Sequence, residues 1–165
     1  MRNTQLFLCW LFAFVSFSFC VQNTSQGAVV ATNSTGGPQG QREVRTTAYT
    51  RSRHGGAKNA HGSQLKAEDL NSAAADWSRF PLGTKFNIPG TQKTYVVDDY
   101  GLGLIGTNKI DLYMPSRREI HHWGVRKVTI KIIEPGSYDR SLALLKPRKH
   151  VAYVRRMVKV LEGKV

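Results

Sequence analysis

The stretch VRKVTIKII, residues 125–133, sets Val128, Ile130 and Ile132 on one side of an extended chain and Lys127, Thr129 and Lys131 on the other. A period of two has this effect, so the segment is a strand with one buried face. A half-buried strand must find a sheet, and the rest of the chain supplies candidates. VRTTAYT at residues 44–50 is rich in β-branched and aromatic residues, and KIDLYM at 109–114 reads the same way. PLGTKFNIPGTQKTYVVDD at residues 81–99 reads as two strands joined by a turn at Pro89-Gly90-Thr91-Gln92. Ser116 and Glu119 form a capping box, so a short helix runs from Ser116 to Trp123. A helical turn is expected around Leu65 to Ala75. Several short strands, one capped helix and no strand–helix alternation predict a mainly β domain, a small barrel.

The flanks differ from this core. Arg2 precedes LFLCWLFAFVSFSFCV, an uncharged apolar run too short for a confident span but suited to the hydrophobic region of a secretory signal. The protein is therefore expected to be exported, with cleavage after Cys20, Gly27 or Ala31, or with the segment kept as an anchor. Both cysteines, Cys9 and Cys20, belong to this leader, so the domain is read as having no disulfide. A polar Asn/Thr/Ser/Gly/Gln linker follows. The expected organisation is a signal peptide at 1–27, a linker at 28–42, the barrel domain at 43–134 and a basic extension at 135–165.

The formal net charge is +13, of which the leader carries only Arg2. A surface this basic attracts polyanions. No RNA-stacking motif or zinc-finger spacing points to nucleic acid, so an exported chain would meet wall polymers or anionic envelope surfaces instead. Much of the charge lies after Tyr138, where Val151, Val154, Val158 and Leu161 recur at helical spacing. This predicts a basic amphipathic helix packed on the barrel, with a solvated outer face or a contact to membrane or wall.

The stretch YVVDDYGLGLIGTNKIDLYMPS, residues 95–116, gathers Asp98, Asp99 and Asp111 around a glycine-rich loop. Strand alternation places Asp111 and Tyr113 on one face, with Ile110, Leu112 and Met114 on the core face. In the preceding strand Asp98 and Asp99 fall on opposite faces, and only one can look at Asp111. Gly101, Gly103 and Gly106 match a G-x-G-x-x-G pattern, but a strand follows where a dinucleotide site needs a helix N-terminus. Clustered carboxylates suit glycosidic cleavage, because one must stay protonated to donate to the leaving oxygen. Aspartates near a turn also have purely conformational uses. A cation site at Asp98, Asp99 and Asp111 offers too few oxygens for calcium, which takes ~6–8. His121 and His122, adjacent on a helix, diverge and make no metal pair. No metal or cofactor is expected.

Thr47-Ala48-Tyr49, Asp76 before Pro81-Leu82-Gly83-Thr84, Asp99-Tyr100-Gly101, Ile105-Gly106, Ile110-Asp111-Leu112-Tyr113 and Trp123-Gly124 occur in that order. This ordered set resembles the 3D, or three-aspartate, domain shared by the membrane-bound lytic transglycosylase A group and the stationary-phase survival muralytic proteins of bacteria. The resemblance spans about residues 46–133. It implies a double-psi β-barrel that cleaves the β-1,4 bond between N-acetylmuramic acid and N-acetylglucosamine in peptidoglycan glycan strands. It also implies Asp111 as general acid and then base, with Asp99 and Asp76 as its partners. The spacing between the D-x-G and I-x-G segments is one residue longer than usual, which leaves the family position to Asp98 or Asp99, with Asp99 preferred. Tyr49, Trp77, Tyr113 and Lys66 are the expected substrate contacts, Trp77 by stacking on a sugar ring unless it fills the barrel end. The chain would act in the periplasm, outer membrane or cell wall of a bacterium. A non-catalytic, expansin-like wall-binding module is the competing reading.

Overall fold

The computed structural model describes residues 40–50, 58–62 and 71–165. The expected leader and linker up to residue 39 and Lys66 lie outside these described residues. Six strands, β1 (Gln41–Tyr49), β2 (Ser72–Ala75), β3 (Lys85–Asn87), β4 (Thr94–Asp99), β5 (Lys109–Tyr113) and β6 (Arg126–Glu134), close into one barrel in the order β1-β5-β2-β4-β3-β6. β1 and β5 run parallel, as do β2 and β4, and the remaining neighbours are antiparallel. The fold is thus mainly β, a closed six-stranded barrel with two parallel pairs, in keeping with the double-psi expectation. β1 begins at Gln41, two residues ahead of the expected domain start.

The interior is filled from the inward faces of the strands. Val44, Phe86, Val97, Ile110, Leu112 and Ile130 are all buried there. The Pro89-Gly90 turn joins β3 to β4 as expected, with Gly90 at φ +84°, a left-handed value that glycine adopts without strain. The helical turn expected around Leu65 to Ala75 lies outside the described residues up to residue 70, and its last part is a strand instead, β2, whose four residues Ser72–Ala75 are all buried. Alanine favours helix, but a strand wedged between β4 and β5 needs side chains this small.

Helix α1 (Arg117–Trp123) starts at the capping box: Ser116 Oγ accepts from the Glu119 amide, and the Glu119 carboxylate accepts from the Ser116 amide. The basic extension holds two helices rather than one, α2 (Tyr138–Leu145) and α3 (Ala152–Glu162), separated by a 3₁₀ turn at 146–148 that contains Pro147. Leu142, Leu145, Val154, Met157, Val158 and Leu161 join the same core as the barrel. The junction is tight. Gly136 lies so close to the Pro81–Thr84 turn that a Cβ there would overlap the Pro81 carbonyl oxygen and sit 2.6 Å from Leu82 O and Thr84 N. The Leu82 amide donates to Ser141 Oγ at 2.8 Å, and the Ser137 amide donates to Leu82 O at 3.0 Å.

Candidate active site

A single row of residues crosses four strands. In register, Thr47 of β1 faces Asp111 of β5, Asp111 faces Ala74 of β2, and Ala74 faces Asp99 of β4. Asp99 and Asp111 therefore stand on the same face with one alanine between them. The placement of Asp99 depends on an irregularity. Ala73 pairs with Val97 but Ala74 pairs with Asp99, so Asp98 is an extra residue in β4. Tyr95 and Val97 point into the core, and strict alternation would send Asp99 after them. The bulge at Asp98 reverses the phase and turns Asp99 outward.

This decides between the adjacent aspartates. Asp98 is buried, accepts from Asn59 Nδ2 at 2.7 Å and from Ser72 Oγ, and ties the 58–62 segment to β4. Asp99 instead borders a groove of about 390 Å³ lined also by Thr47, Tyr49, Ala74, Lys109 and Asp111. Gly101, Gly103 and Leu104 form its wall.

The two groove carboxylates have different surroundings. Asp99 Oδ1 accepts from the amides of Tyr100 at 2.8 Å and Ala60 at 3.0 Å, and Oδ2 takes a long 3.4 Å contact from the Tyr49 hydroxyl. Asp111 Oδ1 accepts from Thr47 Oγ1 at 2.9 Å, and among the described residues nothing donates to its second oxygen. Burial pushes the pKa of Asp99 above the ordinary carboxylate value against the opposing pull of its donors. Burial raises that of Asp111 too; the Thr47 bond opposes the rise and the charge of Asp99 adds to it. Burial also holds the Tyr49 phenol well above its usual value, so it remains a proton donor.

Asp76 lies elsewhere. It is 1% exposed, and its Oδ1 accepts from the Ser78 amide at 2.8 Å and the Ser78 hydroxyl at 2.7 Å. Its Oδ2 accepts from the Gly106 amide at 2.6 Å, so the carboxylate fastens the glycine-rich loop that walls the groove. Trp77 does not fit the stacking expectation: it is 0% exposed, donates Nε1 to Asp99 O at 2.9 Å and meets the Tyr100 ring edge-on. A ring with no exposed face cannot receive a sugar, and Trp77 fills the barrel end instead. Tyr113 is likewise buried, packed edge-on against Tyr49 at 5.5 Å, whereas Tyr49 itself lines the groove. Thr47, Ala74 and Lys109 escaped the sequence reading. Only strand register across β1, β5 and β2 reveals them. Among the described residues no three His, Cys, Asp or Glu side chains converge as a metal site would require.

The fold and site define a small closed β-barrel with paired carboxylates in a surface groove, and sequence comparison gives its family. Residues 71–134 match the 3D domain family; this part of the chain is a 3D domain. The chain is 31% identical over 113 residues to the cell wall-binding protein YocH of Bacillus subtilis, covering 67% of this chain and 39% of that protein. It is 35% identical over 92 residues to the putative cell wall shaping protein YabE of the same organism, covering 54% of this chain and 22% of that one. The chain thus spans well under half the length of either relative. Among solved structures, a Clavibacter michiganensis expansin mutant in complex with cellohexaose aligns with a TM-score of 0.42 at 15% identity, over 59% of this chain and 52% of that one.

Proposed function

We propose that the groove cleaves the β-1,4 glycosidic bond of peptidoglycan between N-acetylmuramic acid and N-acetylglucosamine, with Asp111 as general acid and then base. The observation that carries this reading is the row Asp99–Ala74–Asp111: two outward carboxyl groups on either side of a side chain too small to fill the space between them. Their environments differ in the sense that acid/base chemistry needs. Among the described residues, Asp99, with three donors aimed at it, is the better held anion; Asp111, with one donor and the charge of Asp99 nearby, is the better proton source.

In the first step the Asp111 carboxylic acid gives its proton to the glycosidic oxygen as the bond from that oxygen to the muramoyl anomeric carbon breaks. The Asp99 carboxylate offsets the positive charge developing on the sugar ring. The Asp111 carboxylate then takes the proton of the muramoyl C6 hydroxyl, whose oxygen bonds to the anomeric carbon. The product is the 1,6-anhydro sugar and Asp111 is reprotonated. A hydrolase would differ in one respect, with water supplying the attacking oxygen and its proton. β2 stands between the two aspartates, which leaves room for a hydroxyl or a water at the reacting carbon. Asp76 supports the site through the loop, Tyr49 meets substrate at the groove wall, and Lys66 stays a proposed contact.

The wall-related descriptions of YocH and YabE support an exported protein working on the bacterial wall. The exposed Arg155, Arg156 and Lys159 of α3 would add contacts to anionic envelope polymers. The apolar stripe of α3 is already packed in the core, so these contacts would be made through charge and not by insertion into lipid. One observation favours a second reading: the word used of YocH is binding, and an expansin-like module would hold wall polysaccharide without cutting it. Digestion of purified sacculi by wild type and by Asp111→Asn separates the two. Release of soluble anhydro-muropeptides by the wild type and loss of release in the variant, with wall binding kept, is the expected result. Sedimentation with sacculi and no new sugar ends from the wild type would establish the binding module instead.

A further inference from the structure

Arg148 belongs to the 3₁₀ turn between α2 and α3, beyond the part of the chain that matches the 3D domain, yet its side chain runs back toward the groove. Its Nη1 donates to the Ala60 carbonyl and to the Tyr100 hydroxyl, each at 3.1 Å. These two residues also supply the amides that donate to Asp99 Oδ1. One nitrogen thus ties together the two separate pieces of chain that hold the Asp99 carboxylate.

The surrounding contacts give the tie a defined geometry. Ala60 lies in a turn closed by the Gly62 amide donating to Asn59 O at 2.9 Å, and the His61 amide donates to Asp98 O at 3.1 Å. Tyr100 is wedged between Trp77, edge-on at 4.9 Å, and Tyr153 of α3 at 6.3 Å. Trp77 in turn donates to the carbonyl of Asp99. The 58–62 segment meets β4 through polar bonds from Asn59, Ala60 and His61, and Arg148 adds a charged donor on its far side. A guanidinium suits this position, since the two hydrogens of Nη1 are held in the guanidinium plane and serve two acceptors in fixed directions.

We propose that Arg148 is a positioning residue for Asp99: the helical segment after the barrel uses it to fix Ala60 and Tyr100 where their amides grip the carboxylate facing Asp111. The helices are then a working part of the groove and not an appended tail. The effect on catalysis rests on the reading of the groove as an active site, but the positioning itself does not. Among the described residues, the groups around Asp99 are Tyr49 from β1, Asp98 within β4, Asp111 and Lys109 from β5, and His61 from the 58–62 turn, which acts on Asp98. Arg148 reaches Asp99 only through the backbone of Ala60 and the Tyr100 ring.

The test is a carbon-13 NMR titration of the Asp99 carboxyl in the folded chain, comparing wild type with Arg148→Ala, Arg148→Lys and Arg140→Ala. Arg140 is exposed on α2, so its loss removes an equal charge and none of these contacts. Loss of Arg148 is expected to loosen two donors that stabilise the charged form, so the Asp99 midpoint moves further upward. Arg148→Lys recovers part of the shift and Arg140→Ala gives none. If Arg148→Ala does not fold, Tyr100→Phe removes one of the two acceptors and gives a smaller shift in the same direction. An Asp99 midpoint in Arg148→Ala, or in Tyr100→Phe where it stands in, no different from that in Arg140→Ala overturns the proposal. On sacculi, Arg148→Ala should lower kcat about 10- to 100-fold with KM little changed. A shifted midpoint in a protein that cuts no sacculi would leave the positioning intact and remove the catalytic reading.

Discussion

Replacing Asp76 by alanine takes the acceptor from three donors at once, the Ser78 amide, the Ser78 hydroxyl and the Gly106 amide. The carboxylate is 1% exposed, so water does not take its place without a cavity opening. Hydrogen bonds to a charged group contribute ~1.5–3 kcal/mol each, and a buried amide left without an acceptor costs ~1–3 kcal/mol. The Ser78 hydroxyl can turn to another partner, whereas the two amides are fixed by the backbone. The expected loss is therefore about 3–6 kcal/mol, a large share of the ~5–15 kcal/mol that holds a domain folded. In urea this would move the midpoint by roughly 2 M, with m near ~2 kcal/mol per molar. Asp76→Asn keeps an oxygen for Ser78 but turns an NH2 toward the Gly106 amide, and should cost ~1–3 kcal/mol. Because that amide anchors the loop bearing Gly101 and Gly103, activity on sacculi should fall with loop placement while its pH profile keeps its shape. An Asp76→Ala protein within ~1 kcal/mol of wild type that releases no muropeptides would refute the reasoning and make the carboxylate a participant in the chemistry.

Other perturbations follow from the same structure. Asp111 has a folded-state pKa raised above its unfolded value, so its charge opposes folding at neutral pH and the penalty is relieved as pH falls through the folded value. Asp111→Asn should accordingly have a higher Tm than wild type at pH 7, with the gain gone below about pH 4; thermal melts across that range check it, and an unchanged or lower Tm at pH 7 would contradict it. Gly136→Ala drives a methyl into the Pro81–Thr84 backbone and should destabilise by ~3 kcal/mol or more, seen as an early urea midpoint. Charge reversal at Arg155, Arg156 and Lys159, all exposed on α3, should weaken and flatten the salt dependence of binding to polyphosphate. Equal loss on reversing Arg126, Lys127 and Lys131 of β6 would show that net charge alone is responsible.

The parts of the fold that could be read in advance are those where local chemistry and tertiary packing agree. β6 shows its period of two, the β3–β4 turn carries Pro-Gly, and the α1 cap is written in Ser116 and Glu119. β2 was missed because Ser72–Ala75 contains no β-branched residue; its strand state is imposed by β4 and β5 on either side. Valine and leucine spacing marks the C-terminal helix, but it does not show that Pro147 separates two helices or that Ser137 caps the first of them. In the groove, alternation alone set Asp111 outward with the correct core partners. It could not choose between Asp98 and Asp99, because a bulge obeys the pairing partner and not the strand's own pattern. Trp77 shows the same limit: an aromatic beside an aspartate looks identical in sequence whether its ring meets sugar or core.

The barrel is closed by its first strand. β1 pairs with β5 in parallel and with β6 antiparallel, so its partners are made only when the chain has reached Lys109 and beyond. Closure therefore waits for synthesis of the second half, and a fold built on such distant pairs forms on the slow scale of milliseconds to seconds. A proteolytic cut inside residues 41–49 would leave β5 and β6 each with a bare edge able to recruit strands from other molecules. Processing of the expected leader has to spare this strand, and each of the cleavage points after Cys20, Gly27 and Ala31 falls short of Gln41.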